Sequence, residues 1–148
     1  MFRHILIPTD GSALSLKAAR VAAGLIVDLK AKVTAVYVFP PYVTPYAGEG
    51  LYFSPAGREE DYLAGMRKVA DAALLKVAAI LDKQRIPCQR EAVVFQTPWE
   101  GIIKSASKMK CDLIVMASHG RGGLAGIVLG SQTTRVLTHS KIPVLVCR

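Results

Sequence analysis

The 148-residue sequence contains no apolar run of the roughly 18 residues that a membrane-spanning helix requires. Its first residues also lack the length and the flanking pattern of a secretory signal peptide. These two absences predict a cytoplasmic protein with no membrane partner.

Cysteine is scarce as well. The three cysteines, Cys88, Cys111 and Cys147, are widely separated, and no two of them have the spacing of zinc ligands. No catalytic motif surrounds any of them. The sequence therefore predicts reduced, mostly buried thiols rather than disulfides or a metal site.

Acidic residues are absent after Asp112, although the segment that follows carries Arg121, Arg135, Lys141 and Arg148. The net charge of the whole chain is +8. Its basic residues are scattered, and no cluster interleaves them with aromatic residues, so no specific nucleic acid is expected as a partner. A segment without carboxylates nevertheless suits an anionic ligand.

Short apolar segments alternate with helical patterns along the chain. Strands are predicted at 4–7, 33–39, 91–95, 113–117 and 144–147, and helices at 13–29, 58–85, from 98 onward and after 131. This alternation predicts one α/β domain over residues 1–148, built as an open five-stranded parallel sheet with helices on both faces.

Two helices carry more detailed signals. The periodicity of the first predicts a buried face made of Leu14, Ala18, Val21, Leu25 and Leu29. The stretch Thr97-Pro98-Trp99-Glu100 reads as a capping box with proline at the first helical position. A helix should therefore begin there.

Ligands of open parallel sheets bind beyond the carboxyl ends of the strands. Asp10 follows the first strand, and we expect it to lie close to the loop at Gly120 that follows the fourth. Its carboxylate could accept hydrogen bonds from ribose hydroxyls or help to organise a hydrated Mg²⁺. It could equally cap the next helix, with Ser12 as the competing cap.

The second candidate is "HGRGGLAGIVLGS", residues 119–131, with five glycines in thirteen positions. Amide groups at the start of a helix attract phosphate, and Ser131 could either cap that helix or donate to a phosphate oxygen. A flexible connection is the alternative. No Gly-Lys-Ser/Thr of the Walker type is present, and Gly120-x-Gly122-x-x-Ala125 follows the wrong strand for a dinucleotide motif.

The connection at 40–57 is long and rich in proline, glycine and tyrosine. Loops of this length are often lids or binding segments. Tyr42, Tyr46 and Tyr52 could cover a base, or the segment could be disordered.

Three stretches resemble the universal stress protein family: "ILIPTDGS", "LIVMASHGRGGLAGIVLGS" and "HSKIPVLVCR". The resemblance extends over the whole chain. The ATP signature of the family is Gly, two residues, Gly, nine residues, then Gly-Ser or Gly-Thr. Gly120 and Gly130-Ser131 match it, while Ala117 replaces the first glycine. The resemblance implies the ATP-binding branch and a Rossmann-like sheet of the adenine-nucleotide α-hydrolase type, with strand order 3-2-1-4-5.

The resemblance also implies which residues bind ATP and Mg²⁺. Pro8, Thr9 and Asp10 would border adenosine and ribose, and Val38 would offer backbone hydrogen bonds to adenine. The residues expected to wrap the ribose and phosphates are Ala117, Ser118, His119, Gly120, Arg121, Gly122 and Gly123. Those expected to hold the β- and γ-phosphates with the divalent ion are Gly130, Ser131, Gln132 and Thr133.

Family members form homodimers through the last strand, and the same is expected here, because an unpaired apolar edge strand invites association. The implied function is an ATP-binding regulatory protein of the stress response. Any hydrolysis should be slow, since the sequence offers neither a positioned general base nor a Walker lysine.

Three other functions can be compared with the sequence. A non-nucleotide interaction protein of the same family remains open. An ATP pyrophosphatase would need a Ser-Gly-Gly-x-Asp-Ser loop after the first strand, where this chain has "PTDGSALS". A response-regulator switch needs an aspartate at the end of the third strand, which instead reads Val94-Phe95-Gln96-Thr97.

Overall fold

The computed structural model describes residues 1–43, 56–120 and 129–148. Its elements, in chain order, are β1 (His4–Pro8), α1 (Ala13–Leu29), β2 (Lys32–Phe39), α2 (Ala56–Asp82), β3 (Cys88–Val94), α3 (Pro98–Lys108), β4 (Leu113–Ala117), α4 (Ser131–His139) and β5 (Val144–Cys147). The five strands form one parallel sheet in the order β3-β2-β1-β4-β5, which confirms the predicted architecture and strand order.

Helices cover both faces of the sheet, and alternate residues of each strand contact different helices. In β4, Val115 and Ala117 belong to the apolar cluster formed with α1 and α2. Ile114 and Met116 belong to the cluster formed with α3 and α4. Burial on both faces explains why the central strands read as continuous apolar runs.

The predicted buried face of α1 is only partly correct: Ala18 is buried, and Leu14 and Leu29 pack half-buried against the same apolar cluster, but the other two predicted residues are exposed. The buried apolar residues of this helix are Ala18, Ala19, Ala22, Ala23 and Ile26. Val21 and Leu25, which the prediction placed inside, are 41% and 39% exposed. Small alanines let the helix axis lie close to the sheet, so proximity rather than side-chain size decides which face is buried.

Helix α3 begins at Pro98, as predicted, but the capping box does not form. Thr97 is the N-cap residue, and its side chain makes no capping hydrogen bond. Its Oγ1 is instead buried without a hydrogen-bond partner. Two other features favour a helix start here. Pro98 at the first helical position fixes the backbone angle that a helix requires, and the negative charge of Glu100 in the first turn interacts favourably with the helix dipole.

Asp112 joins the beginnings of β1 and β4. Its carboxylate accepts hydrogen bonds from the backbone amides of Arg3, at 2.9 Å, and His4, at 2.9 Å. Burial raises the pKa of Asp112, but the hydrogen bonds from the His4 and Arg3 amides outweigh that effect and hold the pKa below its usual value.

The three cysteines are free, and two of them, Cys111 and Cys147, are buried, as predicted. Burial raises the pKa of Cys111 to about 11, so its thiol stays protonated at neutral pH. None of the helices in the described ranges is both long and apolar enough to cross a membrane.

Candidate functional site

A cleft of about 410 Å³ opens at the carboxyl ends of β1, β2 and β4. Strand order reverses at β1, because the chain proceeds from β1 to β2 on one side and later returns to β4 on the other. Such a switch point is where open α/β sheets hold their ligands, and the volume lies within the range of small-molecule sites.

Eleven residues predicted from the sequence line this cleft: Pro8, Thr9, Asp10, Val38, Ala117, His119, Gly120, Gly130, Ser131, Gln132 and Thr133. Ser118 does not line it. Its hydroxyl lies 3.1 Å from Nδ1 of His119, and its carbonyl accepts a hydrogen bond from the Gly130 amide at 2.8 Å. Arg121, Gly122 and Gly123 lie outside the described residues, as do Tyr46 and Tyr52 of the long connection.

The cleft also contains residues that sequence reasoning missed: Ser15, Val36, Tyr37, Pro98, Ile102 and Met116. Three signals could have found some of them. Val36 shares a face of β2 with Val38, and Pro98 begins a helix that starts at the carboxyl edge of the sheet. Met116 directly precedes Ala117 at the carboxyl end of β4, which could have marked it, whereas nothing local marks Ile102, which reaches the cleft because α3 packs against β2.

Asp10 lies in a tight turn that holds its carboxylate at the mouth of the cleft. The Ser12 amide donates to Oδ1 of Asp10 at 3.0 Å, and Gly11 between them has a φ of 78°. The N-cap of α1 is Ser12, whose side chain accepts a hydrogen bond from the Ser15 amide. Of the two alternatives for Asp10, helix cap is therefore wrong.

Thr9 supports this turn from beneath. Its Oγ1 accepts a hydrogen bond from the Gly11 amide at 3.1 Å and lies 3.0 Å from Oγ of Ser15. The Ser15 hydroxyl in turn donates to the Ser12 carbonyl at 2.9 Å. Since the Ser15 proton is used there, the Thr9 hydroxyl donates to Ser15. Thr9 and Ser15 thus fix the backbone on which Asp10 is carried.

Gly120 packs directly against Asp10, as expected. A Cβ atom at position 120 would stand 2.5 Å from Oδ2 of Asp10. The missing side chain therefore allows the β4 loop and the β1 loop to approach each other across the cleft.

The absence of a side chain at Gly130 allows close packing against a different residue, His119. A Cβ there would lie 3.0 Å from Cβ and 3.1 Å from Cα of His119. Gly130 is the N-cap of α4, so Ser131 is its first helical residue and is exposed in the cleft rather than acting as the cap. A side chain at position 130 would displace the helix start from the chain at 118–119.

The amino end of α4 presents amide groups to the cleft. Its first internal hydrogen bond runs from the Thr134 amide to the Gly130 carbonyl, so the helix itself does not use the amides of Ser131, Gln132 and Thr133. All three residues line the cleft. Thr133 is buried, and its hydroxyl donates to the Ala117 carbonyl at 2.9 Å, which anchors the helix start to β4.

Val38 offers a peptide edge on the opposite wall. Pairing of β1 with β2 ends at Pro8 and Val36, and the last hydrogen bond joins the Thr9 amide to the Val36 carbonyl. Val38 points its backbone groups to the same side as Val36, because successive residues of a strand alternate. Its N–H and C=O therefore face the cleft, because β1 ends before it could pair with Val38.

Gln132 connects the two helices that flank the cleft. Its Oε1 accepts a hydrogen bond from the Trp99 amide at 3.1 Å, so its NH₂ group is the remaining donor. The Trp99 ring lies against His139, with ring centroids 4.8 Å apart. This arrangement fixes α3 to α4 at both ends of α4.

The charged groups of the cleft are few. Among its described lining residues there is no lysine or arginine, and Asp10 is the single carboxylate. No group of three or more potential metal ligands occurs in the described ranges. An anion in this part of the cleft would be held by the α4 amides and the positive end of the helix dipole.

Comparison with known proteins places the chain in a family. Residues 1–148 match the universal stress protein family. Universal stress protein MJ0531 of Methanocaldococcus jannaschii is 34% identical over 148 residues, covering 100% of this chain and 83% of that protein.

Two solved structures share the fold. The structure of MJ0577, a protein of the same organism, has a TM-score of 0.81 and 27% identity, covering 99% of this chain and 95% of that one. A universal stress protein of Archaeoglobus fulgidus, solved in complex with dAMP, has a TM-score of 0.66 and 17% identity, with 100% and 98% coverage. From the family match and these relatives, the chain belongs to the universal stress protein family.

Proposed function

We propose that the cleft binds ATP together with Mg²⁺ and that the protein is a nucleotide-dependent regulatory factor of the stress response. One observation carries the proposal: a single cleft combines the open Val38 peptide, the Asp10 carboxylate and the free amides at the start of α4. These three features match the hydrogen-bonding groups of a base, a ribose and a phosphate chain.

The adenine ring would lie between apolar side chains of β2, β4 and α3, which include Val36, Met116 and Ile102. The N–H and C=O of Val38 supply the donor and acceptor that the Watson–Crick edge of adenine requires. Guanine presents the opposite order of donor and acceptor on that edge, which supports selectivity for adenine. A protein with the same fold has been solved with dAMP, which supports an adenine nucleotide at the level of the fold.

The phosphates would follow the loop to α4. The amides of Ser131, Gln132 and Thr133 would donate to their oxygens, as at other anion-binding helix starts. Mg²⁺ binds mainly to phosphates and water and needs only one or two carboxylates, so the single carboxylate of Asp10 fits that requirement. The remaining predicted contacts, Ser118, His119, Arg121, Gly122 and Gly123, would belong to the loop between ribose and phosphates.

Calorimetric titration of nucleotide-stripped protein with ATP and Mg²⁺ tests the proposal, with GTP as the control for the base. Saturable binding of ATP without comparable binding of GTP is the expected result. Asp10→Asn keeps an oxygen for the Ser12 amide but removes the charge, so it should weaken Mg²⁺–ATP while preserving the melting temperature. Absence of ATP binding by the wild-type protein would leave an interaction protein that does not use nucleotide.

We propose that the protein forms a homodimer through β5, which lies at one edge of the sheet and carries the 37% exposed Leu145. An apolar edge strand is stabilised by pairing with a second copy. Sedimentation analysis of Leu145→Lys should show a monomer where the wild-type protein is a dimer. A monomeric wild-type protein would contradict the assignment.

A further inference from the structure

The amino edge of the sheet, opposite the cleft, collects basic residues that are scattered in the sequence. Because the sheet is wholly parallel, every strand begins at this edge and every helix ends there. The connections at this edge, together with the strand and helix ends that flank them, carry eight exposed lysines and arginines: Arg3, Lys30, Lys32, Lys83, Arg85, Lys108, Lys110 and Lys141. We call these eight side chains the amino-edge basic face.

Acidic residues do not balance this face. It holds eight of the 19 lysines and arginines of the chain, whereas the last helical turns and connections beside it hold three of the 11 acidic residues, Asp28, Asp82 and Asp112. The carboxylate of Asp112 is already engaged by the backbone amides of Arg3 and His4. The electrostatic potential at the amino-edge basic face is therefore positive.

Three of the eight cations occupy backbone positions that disfavour side chains. The non-glycine residues with positive φ in the described ranges are Lys30, Arg85 and Lys110, at 51°, 57° and 56°. They follow α1, α2 and α3, where glycine is the usual residue because it has no Cβ. A cation gains energy from the nearby helix dipole, but this gain is smaller than the cost of a left-handed side chain. At all three positions the chain keeps a cation where glycine would relieve strain.

We propose that the amino-edge basic face binds the phosphate backbone of double-stranded nucleic acid without sequence preference. Five strands spaced by about 4.8 Å make an edge roughly 20 Å wide. A duplex carries one negative charge per about 1.7 Å of axis, so a length equal to this edge carries about a dozen phosphates, of which roughly half lie on the side that faces the protein. Non-specific binding needs only such phosphate contacts.

The character of the surface favours nucleic acid over a lipid membrane. Proteins that bind membrane surfaces commonly place tryptophan or phenylalanine beside their cations. None of the exposed large apolar residues in the described ranges is aromatic. The face lies at the opposite edge of the sheet from the cleft. Both sites can therefore be occupied together, and a variant can lose binding at one site without losing it at the other.

Fluorescence anisotropy with a fluorescein-labelled duplex DNA of about 20 base pairs and mixed sequence tests the proposal, starting at about 50 mM salt. The decisive variant is K30G/R85G/K110G, which removes three cations from strained positions without adding strain. Its affinity should fall at least tenfold. The slope of log K against log salt should become shallower by about 0.9 per lost contact. K32Q/K83Q/K108Q, which removes three other cations of the face, should have the same effect.

The matched control is R20Q/R67Q/K68Q, which changes the net charge equally at exposed positions on α1 and α2, away from the face. It should bind the duplex nearly as the wild-type protein does. Equal losses in the control and in the face variants would overturn the proposal, because net charge alone would then explain binding. Absence of duplex binding by the wild-type protein would also overturn it. So would a preference for phosphatidylserine vesicles over the duplex.

Discussion

The carboxylate of Asp10 and the backbone of Gly120 are in contact across the mouth of the cleft, so closely that a Cβ at position 120 would stand 2.5 Å from Oδ2. The two residues lie 110 positions apart and close the site between the first and fourth strands. Replacement of either one should therefore act through the other.

Gly120→Ala should displace the Asp10 carboxylate and weaken ATP binding by roughly tenfold, or about 1.4 kcal/mol. Stability should change little, because Gly120 is exposed and the contacted atom is the end of a side chain. The measurement is a double-mutant cycle by calorimetry with Asp10→Ala. In the Asp10→Ala background the added methyl has no carboxylate to displace. If Gly120→Ala weakens ATP binding there as much as in the wild-type protein, contact with Asp10 is not the cause of the loss.

Gln132 should contribute a hydrogen-bond donor to the phosphates, because its Oε1 is already engaged by the Trp99 amide. Gln132→Glu keeps an acceptor for Trp99 but loses the donor and adds a negative charge, so ATP affinity should fall while adenosine affinity and melting temperature do not. Gln132→Met loses both contacts and should also lower stability by about 1 kcal/mol. Titrations with ATP and adenosine separate the two roles, and emission from Trp99, the single tryptophan, reports whether α3 is still held. Equal losses for adenosine and ATP would mean that Gln132 only shapes the cleft.

Ala117→Gly restores the first glycine of the family signature, yet it should not improve ATP binding. The Ala117 side chain is buried in the apolar cluster with α1, and its carbonyl is engaged by Thr133. Loss of a buried methyl and glycine in a strand should together destabilise the protein by roughly 1–2 kcal/mol. Chemical denaturation and calorimetry measure the two effects. A clear gain in ATP affinity would show that the methyl obstructs the ligand.

Asp112→Ala should lower stability at neutral pH by about 1 kcal/mol or more, because two backbone amides lose a charged acceptor. The pKa of Asp112 is lowered in the folded protein, so its contribution is present above the usual carboxyl pKa and is lost as pH falls through the folded value. The difference in melting temperature between wild type and variant should therefore shrink in acid. Thermal melts from neutral pH down to about pH 3 check this, and a difference that grows in acid would have the wrong sign.

The sequence predicted the positions of the helices and strands better than the contacts between them. Apolar runs bounded by turn residues placed all five strands, and the Pro98 signal placed the start of α3. The same reasoning misplaced part of the buried face of α1, where closely packed alanines take the inner positions and Val21 and Leu25 lie at the surface. Hydrophobicity along one helix does not reveal how near that helix lies to the sheet.

For the candidate site, the sequence by itself determined the loops: Asp10 after the first strand, and Gly120 and Gly130-Ser131 after the fourth. In a parallel sheet the carboxyl ends of all strands lie at one edge, so the loop residues that follow them can be named without coordinates. The tertiary structure alone decided that Ile102 lines the cleft, that Gln132 bonds to Trp99, and that scattered cations share the opposite edge. Each of these depends on how separate helices and strands pack together, and such long-range contacts leave no periodic signal in the chain.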